Sequence, residues 1–204
     1  MNYYKNLKGT IDYFNNDIEN IEYLIKIFKK YFILYGYNQI KTPSIENINI
    51  INKIKKNLNL PLIYNIKKKN FLIFDLTIPL FRFCLTNDNK IFYPFKRFQI
   101  QKVWRYDKPQ KNRYREFYQC DIDIISFKSN FEEIEIILLC DKIFNNLNLP
   151  INFLINHKDI LYGLCEYYNI PKNKWFFLIK NIDKIKKNNK KKIIKILKNE
   201  INKK

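Results

Sequence analysis

The chain has 204 residues, which is enough for one good domain, and 47% of them are hydrophobic, which excludes a chain that is disordered throughout. Its formal net charge of +19 normally indicates an anionic partner such as nucleic acid. Lysine, asparagine and isoleucine dominate while glycine occurs only 3 times, a skew that resembles the output of a very AT-rich genome. The charge therefore leaves nucleic-acid binding and compositional bias equally open.

The cysteines and the hydropathy pattern exclude several other classes. Four cysteines are scattered without a C-x-x-C pair, so neither a zinc cluster nor a disulfide framework is indicated, and reduced cytosolic thiols explain them. No apolar run reaches the roughly 18–20 residues that span a membrane. The N-terminus lacks the apolar stretch of a signal peptide. His157 is the only histidine, which predicts no His-based metal site and favours a loop or helix-start residue. We expect a cytoplasmic protein that is not bound to a membrane.

The N-terminal part predicts a helix followed by a strand. After the run Lys8-Gly9-Thr10-Ile11-Asp12-Tyr13, apolar residues recur at helical spacing over 17–35, and Gly36 is a natural stop. A short strand follows over 37–40 and ends near Pro43. Taken alone, this pattern favours an ordinary amphipathic helix packed on a sheet.

The next part predicts a helix near 48–58, a short strand over 62–66, and a buried strand that runs into a helix over 71–83. Thr77 is suited to cap this last helix, and Pro79 is suited to its first turn. Asp75 is a carboxylate at the end of an apolar strand. Such a residue either caps the helix or binds a ligand.

The stretch 93–126 predicts a strand, a long loop and a second strand. Arg97, Gln99 and Arg105 mark one side of the first strand, and Phe98, Ile100 and Trp104 mark the other. The second strand alternates more cleanly, because one face carries Phe117, Gln119, Asp121 and Asp123 and the opposite face carries Tyr118, Cys120, Ile122 and Ile124. An amide and two carboxylates on one face are costly to bury unless polar groups lie above them.

The loop over 107–113 is flanked by arginines. Arg105 and Arg115 lie on the two strands, and Arg113 ends the loop. Arginine offers a planar, permanently charged fork that suits phosphate and carboxylate. The pattern indicates a cationic rim over a floor that contains anions, although surface ion pairs on a sheet edge also explain it.

The C-terminal part is mostly helical by its pattern. Ser129 and Glu132 form a capping box for a helix that runs to about residue 144. A strand is predicted over 150–155 and a helix over 159–168. A lysine-rich amphipathic helix is predicted over 184–204, where the lysines either touch nucleic-acid phosphates or form a solvated face.

Several of these runs resemble one family. WRYDKPQKNRYREFYQCDIDII resembles motif 2 of class II aminoacyl-tRNA synthetases, in the histidyl-tRNA synthetase form typical of eukaryotes, archaea and some bacteria. The opening run resembles K-G-T-x-D-[YF], the helix and strand before Pro43 resemble the dimer-forming motif 1, and the run from Asp75 resembles D-L-T-V-P. The resemblance implies an α+β class II catalytic fold, a mainly antiparallel sheet flanked by helices and incomplete at the C-terminus. Residues 1–150 then correspond to the front of the catalytic domain, with motifs 1 and 2, and 151–204 to the start of the insertion region.

The resemblance also implies a role for individual residues in histidine–tRNA ligation, in which ATP activates histidine and tRNA(His) receives it. Arg105 bridges the histidine carboxylate and the α-phosphate and is the catalytic residue. Histidine is bound by Asp75, Leu76, Thr77, Arg105, Gln119 and Asp123. ATP is bound by Arg105, Asp107, Arg113 and Phe117. The acceptor end of the tRNA meets Lys108 and Gln110. Mg²⁺ accompanies ATP, no side-chain metal site is implied, and the chain acts as a homodimer or with a complementing C-terminal polypeptide.

Two later signatures of the family do not occur in these 204 residues: R-G-L-D-Y-Y-T-G and motif 3, each of which supplies an active-site arginine. We expect the anticodon-binding domain to be absent too. We therefore expect the front half of the enzyme, with little activity on its own. One half of a split synthetase, an inactive RNA-binding remnant and a regulatory relative from histidine biosynthesis are the alternatives; the last usually loses the motif 2 residues that this chain keeps.

Overall fold

The computed structural model of the chain describes residues 4–54, 63–67, 69–126, 131–182 and 194. The chain divides into two compact units, Met1–Ile151 and Asn152–Lys204. In the first unit the elements are α1 (Asn16–Leu34), β1 (Asn38–Gln39), β2 (Ile45–Asn47), α2 (Ile48–Ile54), β3 (Asn65–Ile66), β4 (Asn70–Leu72), α3 (Thr77–Thr86), β5 (Phe95–Trp104), β6 (Glu116–Ile125) and α4 (Phe131–Asn146). The second unit contains α5 (Lys158–Tyr167) and α6 (Lys172–Ile182).

The first sheet has the order β1-β5-β6, and its long hairpin is the centre of the first unit. β5 and β6 pair antiparallel over ten residues each, from Phe95 opposite Ile125 to Trp104 opposite Glu116, which confirms the predicted strand, loop and strand. β1 joins the other edge of β5 in parallel. One face of the hairpin is apolar, and it packs against α1 and α4 through a core that includes Ile27, Phe32, Phe98, Leu139 and Ile143.

The helix α1 forms for the reason that the sequence indicates. Its apolar side is buried through Ile27 and Phe32, and it ends at Leu34, just before Gly36 adopts a φ of +79°. A positive φ is readily adopted by glycine, so the chain can turn there into β1. The predicted helix over 17–35 is thus confirmed, and the predicted strand over 37–40 is observed as Asn38–Gln39.

The second sheet, β2-β4-β3, is antiparallel and packs with α2 and α3 around a core of Ile51, Phe71, Phe74 and Ile78. The predicted helix over 48–58 is described from Ile48 to Ile54, and residues 55–62 lie outside the described residues. The predicted strand over 62–66 is described as Asn65–Ile66.

The prediction that Thr77 caps α3 is wrong, whereas the alternative that Asp75 caps this helix is confirmed. Leu76 occupies the capping position, without a side-chain cap bond, and Thr77 is already the first helical residue. The backbone N–H of Ile78 instead donates to Oδ1 of Asp75 at 3.1 Å. Asp75 can do this because it lies one residue before the capping position and its side chain reaches forward to the first turn.

The strand predicted over 150–155 is also wrong, because these residues carry no strand and pair with no neighbour in the described part of the chain. Its apolar residues indicated a strand. A strand, however, must hydrogen-bond to a neighbouring strand, and the two described sheets are formed by other segments of the chain. The helix after Ser129 is confirmed from Phe131 onward, while Ser129 itself lies outside the described residues.

The first helix of the second unit, α5, begins directly after His157, the only histidine of the sequence. Nδ1 of His157 accepts from the backbone N–H of Asp159 at 3.3 Å, so His157 is the helix-start residue that the sequence favours. The helix predicted over 159–168 is confirmed as α5, whereas α6 was not predicted. The predicted lysine-rich helix over 184–204 lies outside the described residues, apart from Ile194. None of the helices in the described part combines the length and apolar character that crossing a lipid bilayer requires.

Candidate active site

The second face of the β5–β6 hairpin is polar and largely buried. The register places Arg97 opposite Asp123, Gln99 opposite Asp121, and Gln101 opposite Gln119. Directly opposed residues of an antiparallel pair project to the same side, so these six side chains share one face. Arg97 and Gln99 are each 0% exposed. Both carboxylates find polar partners within the hairpin, since Asp123 pairs with Arg97 of the neighbouring strand and Asp121 accepts from Gln119 of its own strand.

An amide network fixes the middle of this face. Nε2 of Gln99 donates to Oγ1 of Thr42 at 2.9 Å and to Oε1 of Gln101 at 2.8 Å. Nε2 of Gln101 donates to the backbone carbonyl of Thr42 at 3.0 Å. Buried amides are stable when they are bonded, so this network ties the strand to the segment before β2.

Arg105, at the end of β5, is held on three sides. Its Nε donates to the backbone carbonyl of Phe74 at 2.8 Å, and its Nη2 donates to Oε1 of Gln119 at 2.8 Å. Its guanidinium carbon lies 5.0 Å from the ring centroid of Phe117, a cation–π distance. The side chain is half-buried. Because a guanidinium has five N–H donors, it keeps others for a ligand in this fixed position.

Gln119 connects Arg105 to a carboxylate. Its Nε2 donates to both oxygens of Asp121, at 3.1 Å and 2.9 Å, while its Oε1 accepts from Arg105. A carboxylate only accepts and a guanidinium only donates, so the orientation of the Gln119 amide follows from its two neighbours. Arg105, Gln119 and Asp121 thus form one hydrogen-bonded row across the floor of the site.

Asp123 forms an ion pair with Nη2 of Arg97 at the far end of the same face. Burial raises the pKa of the Asp123 carboxyl above its usual value, Arg97 opposes that rise, and Asp121 adds to it. Burial also lowers the pKa of Arg97. Both directions show that desolvation outweighs the attraction between the two groups.

The segment of Asp75, Leu76 and Thr77 lies against this floor. The carbonyls of Phe74 and Leu76 face Arg105 and Arg97, at 2.8 Å and 3.5 Å. The side chain of Leu76 is buried, so only its backbone is available to a ligand, whereas Thr77 is exposed and Asp75 is half-buried. The structure therefore brings both predicted histidine-binding groups, this segment and the polar face of β6, to one place.

A pocket of about 360 Å³ lies beside Arg105 and is lined also by Asp107, Asn112, Arg113, Tyr114 and Phe117. Asp107 is buried, and its Oδ2 accepts from Nε and Nη2 of Arg113 at 2.9 Å and 2.8 Å. The Arg113 side chain is 55% exposed. The four predicted ATP-binding residues thus line one pocket with a cation at each side.

The loop that carries the predicted tRNA contacts is clamped from the N-terminal side. Lys108 and Gln110 are exposed, and they do not line the pocket beside Arg105. The backbone N–H of Arg115 donates to the carbonyl of Gly9 at 2.7 Å, and Nε of Arg115 donates to the carbonyl of Asp107 at 3.1 Å. The start of the chain therefore holds the base of the loop.

Sequence reasoning left three residues of this face without a role in the site and missed one contact. The alternation along each strand placed Arg97, Gln99 and Asp121 on the polar sides, but the pairing that brings them together depends on the strand register. The contact between Gly9 and Arg115 joins residues more than one hundred positions apart, and no local pattern predicts it.

Within the described residues, no group of three or more histidine, cysteine, aspartate or glutamate side chains could hold a metal ion.

The chain is similar to known proteins both in sequence and in structure. No family model matches the chain. A protein named histidine–tRNA ligase from Azobacteroides pseudotrichonymphae is 37% identical over an alignment of 185 residues, which covers 78% of this chain and 40% of the relative. The structure of histidyl-tRNA synthetase from Nostoc sp. PCC 7120 matches 98% of this chain and 46% of its own, with a TM-score of 0.81 and 23% identity. A Bacillus halodurans structure titled ATP phosphoribosyltransferase regulatory subunit/histidyl-tRNA synthetase matches 71% of this chain and 38% of its own, with a TM-score of 0.61 and 19% identity.

The chain spans about two fifths of the length of the curated relatives it matches. It is similar in sequence to bacterial histidine–tRNA ligases, and it has the α+β fold of class II synthetase catalytic domains. Those structural likenesses are below 25% identity, so they establish the fold alone.

Proposed function

We propose that this chain provides the histidine-binding and ATP-binding part of a histidine–tRNA ligase, which activates histidine with ATP and transfers it to tRNA(His). The observation that carries the proposal is the position of Arg105. Its guanidinium lies where the segment before α3, the polar face of β6 and the pocket bounded by Asp107 and Arg113 meet. The sequence similarity to named histidine–tRNA ligases supports the same activity.

The first step of this reaction needs a cation between two anions. A carboxylate oxygen of histidine attacks the α-phosphorus of ATP, the bond from that phosphorus to the oxygen bridging the α- and β-phosphates breaks, and pyrophosphate leaves with that electron pair. Arg105 bridges the carboxylate and the α-phosphate, because its fork suits both groups and its position is already fixed. A preorganised donor of this kind contributes about 2.7–4 kcal/mol to transition-state stabilisation. In the second step the terminal ribose hydroxyl of the tRNA attacks the acyl carbon, and AMP leaves.

Recognition of histidine follows from polar groups that a wrong amino acid leaves unpaired. Asp75 and Thr77 receive the amino group, with backbone atoms of Leu76 beside them. Gln119 and Asp123 receive the imidazole from the opposite side. This assignment is supported by the proximity of the two groups, because Phe74 and Leu76 contact the arginines that also contact Gln119 and Asp123.

The pocket beside Arg105 is proposed to bind ATP. Phe117 stacks on the adenine, Asp107 lies near the adenine amino group, and Arg113 reaches the β- and γ-phosphates. The support is that these residues line one pocket whose mouth carries a cation that is 55% exposed. Mg²⁺ arrives with ATP and offsets phosphate charge.

The proposal also covers the contacts with tRNA, the division of the chain, its assembly and its location. Lys108 and Gln110 meet the acceptor end of tRNA, and their exposure on the loop supports this. We assign 1–150 to the front of the catalytic domain and 151–204 to the start of the insertion region. The chain acts as a homodimer or with a polypeptide that supplies the remaining signatures, and a cytoplasmic location is supported by the four free thiols. A regulatory relative shares the fold, but the retained Arg105, Arg113 and Gln119 favour the ligase.

The test is histidine-dependent exchange between ATP and pyrophosphate. The chain is assayed alone and with a polypeptide carrying the two signatures that its sequence does not contain. Exchange should require histidine, should be strong only in the complemented sample, and should fall by about two to three decades in Arg105→Ala. Lys111→Ala is the control, because Lys111 is an exposed cation of the same loop.

Exchange that is unchanged in complemented Arg105→Ala contradicts the role of Arg105. Exchange driven equally by other amino acids contradicts the assignment to histidine. Strong exchange by the chain alone shows that the remaining signatures are not needed for activation.

A further inference from the structure

Arg97 differs from the other arginines of the site because no ligand can reach it. Its side chain is 0% exposed, whereas Arg105 is half-buried and Arg113 is largely exposed. A guanidinium is permanently charged, and burying a charged group completely costs free energy. The placement therefore requires a reason other than direct contact with substrate.

The contacts of Arg97 join two segments that are distant in sequence. Its Nη2 pairs with the carboxylate of Asp123 on β6 and lies 3.5 Å from the carbonyl of Leu76 before α3. Asp123 shares its strand face with Gln119, and Leu76 follows Asp75 directly. Each side of the proposed amino-acid pocket thus has one contact to the same guanidinium.

A purely structural role does not explain an arginine at this position. Nε and Nη1 of Arg97 and Oε1 of Gln99 are buried and have no hydrogen-bond partner among the described residues. Buried polar atoms without partners destabilise a fold, and apolar side chains of similar volume often stabilise a protein when they replace a buried ion pair. A side chain kept for stability alone would be apolar here.

We infer that Arg97 is a positioning residue for amino-acid binding, which holds the carboxylate of Asp123 and the backbone at Leu76 in a fixed relation so that Asp75, Gln119 and Asp123 converge on one ligand. This inference rests on the proposed function, because it concerns the same amino-acid pocket. Arg97 touches no substrate and acts through Asp123 and Leu76. Its removal should therefore weaken histidine binding selectively and leave the ATP pocket intact.

The experiment uses Arg97→Lys and, as a matched control, Arg82→Lys. Arg82 also pairs with a buried carboxylate, since its Nε lies 2.8 Å from Oε1 of Glu46, but this pair is not part of the site. Calorimetric titration should show that Arg97→Lys weakens histidine binding about tenfold or more while ATP binding stays within about twofold, because a lysine ammonium lacks the rigid planar group that places Nη2 against both partners. Arg82→Lys should leave both affinities unchanged.

The inference is overturned if Arg97→Lys weakens the binding of histidine and of ATP equally. It is also overturned if Arg97→Lys binds histidine with full affinity. A ligand-free readout separates this outcome from failure of the proposed function. The backbone N–H of Ile78, which donates to Asp75, should exchange with solvent faster in Arg97→Lys, while the N–H of Leu72, bonded to the carbonyl of Tyr64 at 3.0 Å, should not change. Unchanged exchange at Ile78 overturns the inference whether or not the wild-type chain binds histidine. Absence of histidine binding by the wild-type chain, with faster exchange at Ile78 in the variant, contradicts the proposed function alone.

Discussion

Gly9→Ala is the substitution whose effect the structure defines most closely. Gly9 has a φ of +92°, and its carbonyl accepts from the backbone N–H of Arg115 at 2.7 Å. A Cβ at this position would lie 2.9 Å from Cγ of Pro109 and 3.0 Å from Cγ of Arg115. The substitution therefore strains the backbone and also pushes on the loop that lines the pocket beside Arg105.

The two effects have separate magnitudes. A side chain in the left-handed region costs about 1–2 kcal/mol. Overlap with a packed neighbour costs about 1–3 kcal/mol, and the proline ring gives way less easily than a flexible chain end. Together they amount to roughly 2–5 kcal/mol, which is more than one backbone hydrogen bond contributes, at about 0.5–1.5 kcal/mol. We expect the N-terminal segment to leave the loop.

The assay is hydrogen exchange at the Arg115 amide, together with ATP affinity. Both should change in Gly9→Ala, with faster exchange and weaker ATP binding. Gly36→Ala is the control, because Gly36 also has a positive φ of +79° but has no atom within 4 Å of an added Cβ. It should be strained without any effect on the loop. Exchange at Arg115 that is the same in the two variants would refute the clamp.

Three further predictions concern the core, the pH response and tRNA. Leu139→Ala should lower the free energy of unfolding by about 2–5 kcal/mol in chemical denaturation, because Leu139 is fully buried. Leu138 is 53% exposed, so Leu138→Ala should change the free energy of unfolding by less than about 0.5 kcal/mol. Similar losses of stability in the two variants would contradict the packing. The hydrogen bond from Lys102 lowers the pKa of the Glu116 carboxyl below its usual value. The stabilisation from this pair is therefore present above the unfolded pKa and lost as pH falls through the folded pKa, so Glu116→Gln should flatten the fall in Tm at acidic pH. An unchanged pH profile would exclude this pair. Filter binding of tRNA should weaken steeply with salt because phosphate contacts release counterions, and salt-independent retention would remove the electrostatic explanation.

The sequence was most informative where a short period repeats. Alternation along 117–124 predicted both faces of β6. The structure shows Ile122 and Ile124 of the apolar face packed on the core, Tyr118 and Cys120 of that face exposed, and the polar face in the candidate site. The helical spacing of α1 and the stop at Gly36 were equally direct. These features are local, since each depends on side chains a few positions apart.

The rest depends on contacts between distant segments. The capping role of Asp75 depends on which residue becomes the first helical one, and propensity favoured Thr77. The strand expected over 150–155 has suitable apolar residues, but only a neighbouring strand can make it one. The pairing of Arg97 with Asp123 follows from strand register, which the two strands and their loop determine together.

The central claim is that the polar face of the β5–β6 hairpin and the segment of Asp75 to Thr77 form a pocket for histidine. Calorimetric titration of the chain with histidine, glutamine and a panel of other amino acids tests it most directly, with Gln119→Ala as the variant. We predict that histidine gives the strongest binding, and that this binding is lost in Gln119→Ala because the variant removes the acceptor that fixes Arg105 and the neighbour of Asp121. Equal binding of histidine and glutamine, or histidine binding that persists unchanged in Gln119→Ala, would contradict the claim.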